Sequence, residues 1–153
     1  MRLTETDASF VYMESASGPM HISSIYVLDA EVPFEKIYQR FSDVLHLIPS
    51  YRQKLMHIPM SLGHPTWVDD VNFDLANHVI EHDLPEFTSL EDAVDEAVKL
   101  NEPMLDRSRP LWKMVSISGV EGKTLLLQMT HHAMIDGASG IDLTTILYDL
   151  SPD

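Results

Sequence analysis

Residues 111–131 read LWKMVSISGVEGKTLLLQMTH, and their pattern decides the fold. Leu111 to Ser118 and Lys123 to His131 are two β-rich runs separated by Gly119-Val120-Glu121-Gly122. Such runs around a glycine-bracketed loop predict a β-hairpin with a four-residue connection. Successive side chains of a strand point to opposite faces. Leu125, Leu127, Met129 and His131 therefore share one face, while Leu126, Gln128, Thr130 and, if the strand runs on, His132 share the other. The first set is apolar. It predicts a buried His131, and a His132 on the face of Gln128 and Thr130, where a polar cleft is expected.

Working back toward the N-terminus, Thr88 and Glu91 form a Thr-x-x-Glu capping pattern ahead of Leu90, Ala93, Val94, Ala97 and Leu100, a helix ended by Pro103. His78 to Leu84 is expected to be a strand. Pro59, Gly63 and Pro65 break the stretch from Arg52 to Asp70 into two brief strands and a turn. Pro33 followed by Phe34, Ile37, Tyr38, Phe41, Val44, Leu45 and Ile48 predicts an amphipathic helix stopped before Pro49. His21 to Leu28 reads as a strand after an irregular opening. Beyond the hairpin, Ile141, Leu143, Ile146, Leu147 and Leu150 predict a last helix. Hairpin-paired strands with helices between them predict an α/β fold, a two-layer αβ sandwich with a mixed sheet.

The chain has 153 residues with 44% hydrophobic content, enough for one domain with a closed core. Ten Lys and Arg against 24 Asp and Glu leave a net charge of −14, which argues against nucleic acid as a partner. With no cysteine there is no disulfide framework, thiolate zinc site or thiol nucleophile. The opening MRLTETDASF places Glu5 and Asp7 where an export signal needs an apolar run, and no uncharged apolar window is long enough to span a bilayer. A cytoplasmic address is compatible with this, and peripheral attachment to a membrane stays open.

A histidine at a strand end suits general-base work, because its pKa lies near working pH and imidazole can take a proton and return it. Asp136, four residues after His132, could return to orient a ring or pair with an arginine, and Gly137 allows positive φ or a close approach of substrate. Residue chemistry alone leaves a structural role open for both histidines. It disfavours a metal site of His131, His132 and Asp136, because adjacent strand residues diverge and no further ligand pattern completes a shell. Gly137-Ala138-Ser139-Gly140 has the wrong spacing for a nucleophile elbow.

His131-His132-Ala133-Met134-Ile135-Asp136-Gly137 matches in full the His-His-x-x-x-Asp-Gly signature of the CoA-dependent acyltransferase superfamily, whose fold is chloramphenicol acetyltransferase-like. Within it the chain resembles the bacterial wax ester synthase/diacylglycerol acyltransferase family. The opening LTETDASFVYMES, the segment Pro19-Met20-His21-Ile22 and Pro110-Leu111-Trp112 carry that narrower resemblance. The signature alone is shared with peptide-forming condensation domains and polyketide-associated acyltransferases.

The resemblance implies a long-chain fatty acyl transfer from acyl-CoA, a substrate rather than a cofactor, to a fatty alcohol or diacylglycerol. In it His132 acts as base, Asp136 keeps the loop and the histidine in place, His131 and Gly137 complete the catalytic signature, and no acyl-enzyme forms. Pro110, Leu111 and Trp112 would line or brace the acyl site, although a Trp at a strand start also suits a core. Arg107 and Arg109, the densest basic spot, could meet a CoA phosphate or form a solvated turn. The family resembles two αβ halves in one chain, so residues 1–153 look like an N-terminal acyltransferase subdomain whose partner is the C-terminal half. An Asn-Asp pair expected in that half has no counterpart, since Asn72, Asn77 and Asn101 precede Phe, His and Glu. This half alone is therefore expected to be inactive. The other classes open to the sequence are a condensation-type enzyme and a non-catalytic lipid- or partner-binding domain.

Overall fold

The computed structural model describes residues 3, 5–15, 18–56, 63 and 65–134, with Glu5, Thr6, Asp7, Phe10 and His132 described through their backbone only. In chain order these form helix α1 (Glu5–Met13), strand β1 (His21–Leu28), helix α2 (Phe34–Val44), strands β2 (Gln53–Met56), β3 (Thr66–Asp69) and β4 (Val79–Thr88), helix α3 (Leu90–Leu100), and strands β5 (Trp112–Val120) and β6 (Lys123–His131). One four-stranded sheet has the order β1-β6-β5-β4, and β2 pairs with β3 in a separate ribbon. β6 is antiparallel to β1 and β5, whereas β4 runs parallel to β5. The α/β fold with a mixed, largely antiparallel sheet is the one the sequence predicts. A parallel pair needs a crossover, and α3 supplies it.

The hairpin is tighter than expected. Val120 pairs with Lys123, leaving Glu121 and Gly122 as the turn, and a register slip between Ile117 and Val120 takes up Ser118 and Gly119. Gly119 has φ +88°, and a Cβ there would lie 2.2 Å from the Leu84 carbonyl oxygen, so a side chain is excluded. The cap of α3 also shifts by one residue: the Ser89 hydroxyl accepts the Asp92 amide at 3.1 Å, while the Thr88 hydroxyl donates to the Pro85 carbonyl. Helix α2 buries Ile37, Phe41 and Val44, then tightens into a 3-10 turn over Leu45–Leu47 before Pro49. The opening, read as irregular, instead forms α1. Its buried stripe among the described side chains is Ala8 and Val11, too short a period to stand out in sequence. The helix predicted from Ile141 to Leu150 lies outside the described residues.

Residues opposite one another in paired strands share a face. His21 and Ser23 of β1 therefore lie with His131 and Met129, and Trp112 and Met114 of β5 lie with Thr130 and Gln128. Helix α3 meets the first face: its C-cap residue Asn101 bonds the His21 ring, and its Glu96 lies 3.4 Å from His82 of β4. Helix α2 meets the second, where Phe41 stacks on Trp112 with ring centroids 6.0 Å apart. Between them Leu125, Leu126 and Leu127 are fully buried, so β6 is the centre of the core.

Candidate active site

Strand β6 ends at His131, and His132 opens a 3-10 turn, His132–Met134, that packs against α1. His131 is 0% exposed on the apolar face, as the alternation predicts. The alternation does not carry into the turn, and the opposite face is covered as well. Gln128 is buried, and its amide donates to the Thr130 hydroxyl rather than lining a wet cleft. The side chain of His132, and all of Asp136 and Gly137, lie outside the described residues.

One ring nitrogen of His131 is hydrogen-bonded and the other faces a carboxylate. Nδ1 accepts the Ala133 amide at 3.0 Å. A backbone amide only donates, so Nδ1 presents its lone pair and the neutral ring carries its proton on Nε2. Nε2 lies 3.3 Å from Glu14 Oε1. The backbone of His131 is fixed too, its amide donating to the Leu111 carbonyl at 3.0 Å.

Glu14 follows α1 directly, and its side chain is 0% exposed. Oε1 accepts Arg107 Nε at 3.1 Å and Nη2 at 2.9 Å, and Oε2 accepts the Met20 amide at 3.0 Å. Arg107 Nη2 also donates to the Val11 carbonyl, one of those a helix leaves unpaired at its C-terminal end. Burial pushes the Glu14 carboxyl up. The Met20 amide, the Arg107 hydrogen bonds, the facing His131 ring and the charge of Arg107 together outweigh it and hold the group below its ordinary value. A buried carboxylate at a helix C-terminus opposes the helix dipole, and Arg107 answers both problems at once.

Arg107 is thus bonded to Glu14 and to the end of α1, and Arg109 lies on an exposed turn 3.9 Å from Asp106. Glu14 and Arg107, 93 residues apart, were not paired by the sequence reading. Glu14 lies inside the opening stretch that carries the family resemblance, which marked its neighbourhood but not its partner.

Pro110, Leu111 and Trp112 come together with His131 at the same end of the sheet, and all three are buried. Trp112 is 1% exposed, with Tyr51 and His78 stacked at 4.6 Å and 4.9 Å between ring centroids. Its indole N–H donates to the Tyr51 carbonyl, and its own carbonyl accepts His78 Nδ1–H, each at 2.8 Å. Burial, first, and the charges of Arg109 and Lys113 hold the His78 pKa down, against the bond to Trp112 and the charge of Asp70. His78 was another residue the sequence left unassigned.

A cleft of about 480 Å³ opens elsewhere, beside His46, Arg52, Asp70 and Phe73, and none of the site residues predicted from sequence lines it. Among the described residues no cluster of three or more His, Asp and Glu is placed to hold a metal ion, and no helix is long and apolar enough to cross a membrane.

The α/β fold with its mixed sheet and crossover helix matches that of solved wax ester synthase/diacylglycerol acyltransferase and condensation-domain structures. The wax ester synthase/diacylglycerol acyltransferase from Marinobacter aquaeolei VT8 superposes with a TM-score of 0.75 at 24% identity, over 95% of this chain and 37% of that one. The starter condensation domain of rhizomide synthetase superposes with a TM-score of 0.70 at 13% identity, over 97% of this chain and 37% of that one. Those likenesses establish the fold. In sequence, residues 3–153 match the wax ester synthase/diacylglycerol acyltransferase catalytic domain, and the chain belongs to that family. A probable diacylglycerol O-acyltransferase of Mycobacterium tuberculosis is 32% identical over 152 residues, 97% of this chain and 56% of that protein. A putative one from the same species is 34% identical over 159 residues, 99% of this chain and 32% of that protein. The chain thus spans from about a third to just over half the length of these relatives.

Proposed function

We propose that this chain is the N-terminal acyltransferase subdomain of an enzyme that moves a long-chain acyl group from acyl-CoA to a fatty alcohol or diacylglycerol, forming wax ester or triacylglycerol. His132 is the general base. It takes the proton of the acceptor hydroxyl as the oxygen attacks the thioester carbonyl. The tetrahedral intermediate then collapses to the ester, expelling the CoA thiolate, to which the imidazolium returns the proton. Neither an acyl-enzyme nor a cofactor is needed, in keeping with a chain that has no cysteine.

The observation that carries the assignment is the state of His131. Sealed from solvent, with one ring nitrogen on Ala133 and the other facing Glu14, it has none left for a substrate, and the next residue begins the turn. In this reading Asp136 and Gly137 hold the loop, and Pro110, Leu111 and Trp112 back the acyl site. The C-terminal half supplies the rest, including cations for the CoA phosphates that a half with net charge −14 provides sparsely, so residues 1–153 alone do not turn over. The enzyme works in the cytoplasm at the periphery of a lipid surface.

The test uses the complete protein with palmitoyl-CoA and either hexadecanol or diacylglycerol, products resolved by chromatography. His132→Ala should cut ester formation on the order of 10²- to 10⁴-fold while acyl-CoA still binds. A His132→Ala variant that matches the wild-type rate removes the base from His132.

A further inference from the structure

Four parts of the chain converge on the Glu14 carboxylate. The residue after α1 is Glu14 itself, the turn before Pro110 brings Arg107, the residue before β1 brings the Met20 amide, and the end of β6 brings the His131 ring. Stability alone does not account for this. A buried ion pair contributes little over well-packed apolar side chains, because desolvation offsets most of the Coulombic gain. What an ion pair of this kind adds is a fixed geometry.

That geometry reaches the His132–Met134 turn through one bond. The Ala133 amide can donate to His131 Nδ1 only while that nitrogen is unprotonated. Were the ring to carry its proton on Nδ1, two donors would face each other at the 3.0 Å that now separates them, and the turn would have to open. A carboxylate facing Nε2 favours the tautomer with the proton there.

We propose that Glu14 is a positioning residue, whose carboxylate holds His131 as the Nε2–H tautomer and thereby fixes the turn that presents His132 to the acceptor hydroxyl. The inference rests on the reading of His132 as the base. Its first half, the tautomer lock, stands apart from any substrate.

Two measurements on the complete protein test it. In the first, Glu14→Gln is compared with Ser89→Ala, which loosens the distant cap of α3. Glu14→Gln should lower kcat about 10- to 100-fold, the range typical of groups that orient a reactive side chain from behind, with KM for palmitoyl-CoA within about 2-fold. Ser89→Ala should lower Tm and leave kcat in place. A folded Glu14→Gln enzyme with wild-type kcat overturns the proposal, as does a Ser89→Ala enzyme that loses kcat to the same extent. In the second, ring-nitrogen NMR of the wild-type protein should show His131 in a single Nε2–H form, and Nδ1–H in its place overturns the lock even if Glu14→Gln does not fold. Should the wild type transfer no acyl group, the proposed function falls, while the NMR result still decides the lock.

Discussion

Leu111 and Trp112 are neighbours in sequence and serve opposite sides of the sheet. Leu111 gives its carbonyl to His131, whose ring faces Glu14 and, behind it, Arg107. Trp112 is stacked against Phe41, Tyr51 and His78 on the other face. One side is held by charge-assisted contacts that converge on a single carboxylate. The other is held by area: aromatic rings close-packed, with two hydrogen bonds satisfying the indole and the Trp112 carbonyl. Dispersion and burial tolerate small displacements, whereas a buried carboxylate shared among an arginine, an amide and an imidazole does not. The aromatic side is therefore built to keep this end of the sheet folded, and the ionic side to keep one ring in one orientation.

The contrast is broken most strongly by Trp112→Ala, which should cost about 3–5 kcal/mol of unfolding free energy through lost burial and the cavity left behind. Denaturant unfolding of the complete protein measures it. If Glu14→Gln costs as much stability and no more kcat than Trp112→Ala, the division between the two sides is void.

Acid sharpens the comparison, because the two sides respond in different pH windows. His78 is held neutral by burial, so below the ordinary histidine pKa the unfolded chain takes up a proton that the folded one refuses. The aromatic side therefore weakens first on acidification, from near neutrality downward. Glu14 is held below its ordinary value and binds a proton more readily when unfolded, so its contribution persists above the carboxylate range and is lost as pH falls through it. A stability-versus-pH curve should show both limbs. His78→Phe should remove the upper one and Glu14→Gln the lower. The smallest effect is expected at the α3 cap, where Ser89→Ala should cost about 1 kcal/mol and Thr88→Ala less, reversing the cap read from the sequence.

What sequence made legible follows the same division. Alternation along Leu125 to His131 and the spacing of Ile37, Phe41 and Val44 are local patterns, and they located the strand, the helix and the buried histidine. The His-His-x-x-x-Asp-Gly signature is local as well. The partner of His131 was not, because it stands more than a hundred residues away, just after a helix whose buried stripe among the described side chains is Ala8 and Val11. Nor did the sequence show the bond from Arg107 to Glu14, since an arginine near a turn looks the same until its carboxylate is known. The hairpin erred by two residues for a related reason. Gly119 looks like a loop glycine, yet it is needed because β4 passes so close that Leu84 leaves no room for a Cβ.

The sheet order also carries a consequence for how the protein assembles. β5 and β6 are joined by a turn of two residues and can zip together on their own. β1 must close a loop of most of the domain before it reaches β6, and only then do Glu14, Met20, Arg107 and His131 share a space. The carboxylate leaves the ribosome long before the arginine and the imidazole that will neutralise it. Until those arrive it stays hydrated, because an unpaired carboxylate is costly to bury.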